Sequence, residues 1–218
     1  MSDTTLAPQP PPPRKMSRDS RRVQLIEATI ETLAQRGYAR ITMADVARTA
    51  GLSNGLVNFH FDTKERLLAE TLAYLAEEYR LNWAEALAGA GPDPARQLNA
   101  MIEADFNPAI CTPQRLSAWC SFWGEAQSRP LYQERCGSND ALYCQTMEGI
   151  CARLMADGGY GGTPALVARV IRATLEGVWL DLMTMQAPIE VAEALATART
   201  CAALCFPRHF GPDGLLRR

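Results

Sequence analysis

The stretch Thr42–Lys64 sets two short, separately capped helices on either side of a tight turn. Thr42-Met-Ala-Asp45 has the form of a capping box opening a helix to Ala50. Gly51 follows and can take the left-handed conformation that ends a helix in a turn. Ser53 caps the next helix, Asn54–Phe61, and Asp62-Thr-Lys-Glu65 caps a longer one to about Leu87. Helices this short need a third to pack on. Ile26, Ile30 and Leu33, at i, i+4 and i+7, form the buried stripe of a helix that starts near Ser20 and ends at Gly37. The pattern predicts a helix-turn-helix. Ala47 is small where two helices cross, and Val57 and Phe61 anchor the third helix. Ser53, Asn54, Asn58 and Phe59 are left to face outward.

In such readers the N-terminal part of the second motif helix enters the DNA major groove. Asn54 and Asn58 offer donor and acceptor together, as an adenine edge requires. Ser53 and the free amides of a helix N-terminus suit phosphate. Lys64, poorly placed for the helix dipole, suits a DNA phosphate. The same residues also fit plain capping in a helical bundle.

Charge is distributed to match. The net charge is only −2, so any basic character has to be local. Arg14, Lys15, Arg18, Arg21 and Arg22 face a single acid, Asp19, just upstream of the motif. This is either an arm that touches phosphate or a solvated terminus. Residues 1–19, with Pro8 and Pro10 to Pro13, are expected to be a proline-rich, disordered arm.

Beyond the motif the chain reads as helical throughout. Breaks fall at Gly89–Pro94, around Pro108, at Gly158–Gly162 and at Pro188. Thr112-Pro113 and Thr163-Pro164 are caps followed by proline in the first turn. Strand alternation is absent. The expected fold is all-α with about nine helices: a helix-turn-helix domain over 20–66, a helical bundle for ligand binding and dimerisation over 67–210, and a tail over 211–218. A stretch near Pro130–Ala156 is open to interruption at Gly137.

Several classes are excluded. The seven cysteines contain no Cys-x-x-Cys, and of the two histidines His60 is far from them in sequence and His209 has only Cys205 close by, so neither a metal nor a cofactor is expected. Cys201/Cys205 and Cys144/Cys151 each share a helix face, leaving a thiol-based redox sensor as an alternative to buried small hydrophobes. No Gly-x-Ser-x-Gly or phosphate loop suggests an enzyme. No apolar run spans a membrane and no apolar leader is visible, so a cytoplasmic protein is expected.

The segment from Thr42-Met-Ala-Asp-Val-Ala through Ala50-Gly-Leu-Ser-Asn-Gly to Phe59-His60-Phe61-Asp-Thr-Lys64-Glu-Arg-Leu-Leu68 resembles the DNA-binding domain of TetR-family repressors. The resemblance implies a homodimer that reads a palindromic operator in double-stranded DNA. It also implies contacts from Thr42, Ser53, Asn54, Gly55, Asn58, Phe59, His60 and Lys64. Two positions depart from the family's habit. Asn58 stands where Tyr is frequent, and Phe59 lacks a hydroxyl for phosphate, so the operator is this protein's own.

Asn107-Pro108, Cys111-Thr-Pro, Leu116-Ser-Ala-Trp119-Cys-Ser-Phe122-Trp123-Gly-Glu125, Arg129-Pro130, Tyr132 and Gly158-Gly-Tyr160 resemble the subgroup of choline-responsive repressors of betaine synthesis. Trp119 and Trp123 share a helix face, with Phe122 beside them and Glu125 near. Tyr132, Tyr143, Trp179 and Asp181 can join from other helices. Aromatic faces with a carboxylate suit a quaternary ammonium ion, although aromatics at helical spacing also build ordinary cores. The expected effector is a small organic cation that releases the operator. Leu166, Val167, Val170, Ile171, Leu175, Val178, Trp179 and Leu182 make a stripe too wide for one side of a bundle. With the Ala-rich final helix, it is expected to form a four-helix dimer interface.

Overall fold

A computed structural model describes residues 17–125, 129–185, 189–211 and 213–216. Among them nine helices account for nearly all regular structure. They are α1 (Arg18–Arg36), α2 (Met43–Ala50), α3 (Asn54–Phe61), α4 (Lys64–Gly89), α5 (Pro94–Ala104), α6 (Pro113–Gly124), α7 (Arg129–Gly158), α8 (Pro164–Thr184) and α9 (Val191–Cys205).

Local chemistry sets most boundaries. The Ser17, Thr42, Ser53, Thr63, Asp93 and Thr112 side chains each accept a backbone N–H in the first turn that follows, satisfying donors a helix start leaves free. α2 ends in a Schellman turn. Gly51 sits at φ 68°, ψ 32°, and the Leu52 N–H reaches back to the Ala47 carbonyl at 2.9 Å.

α1, α2, α3 and the start of α4 enclose the first core, where Leu25, Ile30, Val46, Val57, Phe61 and Leu68 are almost completely buried. Each such side chain contributes about 1.5–3 kcal/mol by leaving water. α4, about 39 Å long at 1.5 Å per residue, also runs through the second bundle, where it buries Leu75 and Trp83. There α4, α5, α7, α8 and α9 pack together, and α6 lies between α1 and α8.

The C-terminal segment differs from expectation. Phe210–Gly211 pairs antiparallel with Gly214–Leu215 as β1 and β2, in contact with α5 and α9. The pairs Phe210–Leu215 and Gly211–Gly214 thus give this segment regular structure where a plain tail was expected. His209 anchors this segment, its Nε2 being 2.8 Å from Asp157 Oδ2 and its Nδ1 3.0 Å from the Tyr160 hydroxyl. α7 also runs through Gly137 without a break. The arm 1–16, with Arg14 and Lys15, lies outside the described residues.

Candidate functional site

Two regions carry functional chemistry. On α3, the fully buried Val57 and Phe61 fix the orientation of the helix. Ser53 caps it, accepting the Leu56 N–H at 3.3 Å. Asn54, Gly55 and Asn58 are exposed, and Phe59 is 68% exposed. A side chain built at Gly55 would meet nothing within 4 Å, so the chain's own packing does not require glycine there. Thr42 is exposed at the start of α2, its hydroxyl donating to Asp45 Oδ2 at 2.6 Å. Half-buried Lys64 donates to the Ala39 carbonyl at 3.4 Å. Arg18 lies 6.0 Å from the centre of the Phe59 ring.

His60 departs from the expected outward set. It is 6% exposed, its ring packed against Phe59 at 5.3 Å. It lies three residues after Val57 and therefore shares the inward face of α3. Burial, and then Arg22, Arg18 and Arg21, hold its imidazole pKa below the usual value, which favours the neutral ring. Arg22 likewise turns inward. It donates to the His60 carbonyl at 2.6 Å, pairs with Glu70, and lies 4.5 Å from the Phe61 ring. Its charge ties α1 to α3 and α4 instead of adding to a free basic patch.

The second region is a cavity of about 60 Å³ inside the C-terminal bundle. Its aromatic wall comes from Tyr79 on α4, Trp119 and Trp123 on α6, Tyr132 and Tyr143 on α7 and Trp179 on α8. The rings interlock. Tyr79 meets Trp179 at 5.8 Å and Tyr143 at 5.9 Å, and Trp119 stacks on Trp123 at 5.9 Å. Asp105, Asp140 and Glu176 bring carboxylates, and Arg172 one cation. Tyr79 donates to Asp105 Oδ1 at 2.8 Å, and Trp179 Nε1 to the Asp105 carbonyl at 3.1 Å. Burial pushes the Asp105 carboxyl up to about 7, with the Tyr79 hydrogen bond opposing. Arg172 is engaged by Glu176 Oε1 at 2.7 Å, within the cavity wall, and by Cys144 Sγ at 2.8 Å.

Trp119, Trp123, Tyr132, Tyr143 and Trp179 were singled out from the sequence, and the fold brings them together. Phe122 and Glu125 do not line the cavity. Phe122 is 1% exposed and packs edge-on against Tyr38 at 5.7 Å, on the α1 side of α6. Half-buried Glu125 follows the end of α6, near enough to Tyr38 to help burial raise the pKa of that phenol. Asp181 is exposed, also away from the cavity. Tyr79, Asp105, Asp140, Arg172 and Glu176 were missed. Each lies in a stretch whose local pattern is that of a helix surface or a helix end, and only the packing of several helices makes them neighbours.

α6 links the two regions. Arg115 donates to both Glu78 oxygens at 2.7 Å and to Glu27 Oε1 on α1 at 3.0 Å, where Tyr74 also donates at 2.9 Å. The same helix presents Trp119 and Trp123 to the cavity.

The sequence pattern of bacterial regulatory proteins of the tetR family matches residues 25–71. That of the C-terminal domain of BetI-type transcriptional repressors matches residues 94–207. The chain belongs to the TetR family, with a C-terminal domain of the BetI type. It is 30% identical over 168 residues to the HTH-type transcriptional regulator BetI of Stenotrophomonas maltophilia, covering 77% of this chain and 84% of that protein. Against the BetI of Paraburkholderia phytofirmans it is 28% identical over 194 residues, covering 85% and 93%.

Among solved structures, a putative transcriptional regulator from Pseudomonas aeruginosa superposes with a TM-score of 0.74 at 25% identity, covering 90% and 97% of the two chains. A putative regulator from Saccharomonospora viridis, solved in complex with choline, shares the fold with a TM-score of 0.67 at 20% identity, covering 91% and 100%. This TetR-family chain is therefore a DNA-binding transcriptional repressor, a class that does not catalyse reactions. No described helix is long and apolar enough to cross a membrane. The comparisons offer no support for the thiol-switch alternative.

Proposed function

We propose that this TetR-family repressor holds a palindromic operator as a homodimer and releases it when a small organic cation, a quaternary ammonium compound, occupies the aromatic cavity. The observation that carries this reading is the wall of six aromatic side chains with the Asp105 and Asp140 carboxyls beside it, Glu176 being paired with Arg172. A quaternary ammonium has no N–H to donate, so it is held by ring faces and diffuse negative charge. Each well-placed ring is worth about 0.5–2 kcal/mol. The Saccharomonospora viridis regulator, solved with choline, adds a precedent in the same fold.

Thr42, Ser53, Asn54, Gly55, Asn58, Phe59 and Lys64 would form the DNA-facing surface, with His60 supporting Phe59 from beneath. Release follows from differential affinity: a ligand that prefers one spacing of the two α3 helices lowers operator binding by that preference. α4 belongs to both domains, and α6 touches both the cavity and α1, so either helix can carry the shift. Choline is the probe. It should bind saturably in calorimetry and release operator DNA in gel shifts at matching concentrations. Failure of choline and tetramethylammonium to bind, or binding with operator affinity unchanged, would overturn the proposal.

A further inference from the structure

We infer that Asp105 is the anionic group that receives the effector's positive charge, and that it does so by giving up a proton, so that cation binding and proton release are one event. This rests on the cation-binding reading of the cavity and adds its charge chemistry.

Asp105 is 3% exposed and closes α5 at the inner wall of the cavity. Its backbone is pinned there, since Asn82 Nδ2 donates to the Ala104 carbonyl at 2.8 Å and Trp179 holds its own carbonyl. The groups facing it offer no positive charge that is free. From α4 comes the Tyr79 hydroxyl. From α7 come Tyr143 and Asp140, and from α8 Glu176 and Arg172. Cys111, just beyond, is a thiol whose pKa is raised by burial and then by Asp105. Arg172 is engaged by Glu176 and Cys144. Glu176 adds to the cost of a negative charge on Asp105. The Tyr143 hydroxyl, 5% exposed and on the same wall, makes no hydrogen bond of ordinary geometry.

A carboxylate so enclosed needs a counter-charge or a proton. Without a cation it holds the proton below about pH 7 and shares it with solvent at neutral pH, consistent with a carboxyl pushed up to about 7. When a permanent cation enters, the ionised form is favoured and the proton leaves to bulk buffer. One positive charge replaces another, and the cavity's net charge is unchanged.

Calorimetry on the full chain with choline, which carries no titratable ammonium proton, tests this at pH 6, 7 and 8 in pairs of buffers of different ionisation enthalpy. Affinity should fall about tenfold per pH unit below 7 and level off above it, with close to one proton released at pH 6 and few at pH 8. Asp105→Asn should weaken or abolish binding and remove any proton release, while Asp140→Asn should keep the release. Should Asp105→Asn fail to fold, the proton count of the unaltered protein decides alone. Choline binding with constant affinity from pH 6 to 8 and no proton release would overturn the inference and leave the proposed function standing. Absence of choline binding even at pH 8 would overturn both.

Discussion

Asp62 joins α3 to α4 at φ 57°, ψ −54°, the only non-glycine residue with positive φ among those described. The Thr63 N–H reaches the Phe61 carbonyl at 2.6 Å, closing a γ-turn around it, a strained conformation for an L residue. Asp62→Gly should relieve that strain and raise stability by about 1 kcal/mol in urea unfolding, since the Asp62–Arg66 pair it removes is exposed. Asp105 makes a second prediction. Its folded-state pKa lies above the unfolded value, so folding takes up a proton between about pH 4 and 7. The native state then loses stability as pH rises through that window, by up to about 1.4 kcal/mol per pH unit. Unfolding measured from pH 4.5 to 8 without ligand should show this decline in the unaltered protein, and Asp105→Asn should flatten it.

In the proposed DNA-facing surface α3 separates two kinds of contact, because Asn54 stands in its first turn and Lys64 just beyond its end. Asn54→Ala should cost specific operator binding more than non-specific binding. Lys64→Ala should weaken binding to all sequences and reduce the salt slope by about one ion. Gel shifts on operator and scrambled DNA across salt concentrations distinguish the two. α6 makes a different prediction. Arg115 is the half-buried tie between α6, α1 and α4. Arg115→Ala should cost about 1–2 kcal/mol of stability and leave choline binding in place. The difference in operator affinity with and without choline should shrink, as gel shifts would show. Helices of this kind were legible in the sequence because their starts are written locally: Thr42, Ser53 and Thr112 cap wherever they sit. Gly137 was ambiguous because glycine only weakens a helix, and packing of α7 carries it through. The C-terminal hairpin was illegible because strands of two residues leave no alternation to read. At the cavity, the i, i+4 spacing exposed Trp119 and Trp123. Phe122, one position off that face, turned to α1, and Asp105 became a site residue only through the Tyr79 and Trp179 packed on it.

At the scale of the molecule, the wide apolar stripe of α8 resolves into two faces. Ile171, Leu175, Val178 and Trp179 are buried in the chain's own core. Leu166, Val170, Ala173, Gly177 and Leu180 recur at i, i+4, i+7, i+11 and i+14 and remain exposed. Leu204 on α9, 80% exposed, and Val191, 42% exposed, extend the uncovered apolar surface. Gly177 has open space where a side chain would stand, so another backbone can approach closely. The homodimer proposed above would cover this surface with a second copy related by a twofold axis, and would have to set the two recognition helices roughly 34–36 Å apart to enter successive major grooves. Burying Leu166, Val170, Leu180, Val191 and Leu204, most of them already half covered, at about 1 kcal/mol each would offset part of the entropy lost on association. Val170→Glu with Leu204→Glu puts charge into that surface without touching either core or cavity. Light scattering should report a dimer for the unaltered chain and a monomer for the double variant. Circular dichroism and choline affinity should stay unchanged, and operator binding should fall by at least 100-fold, since each half-site contact would then be made alone. A double variant that remained dimeric would place the interface on another face.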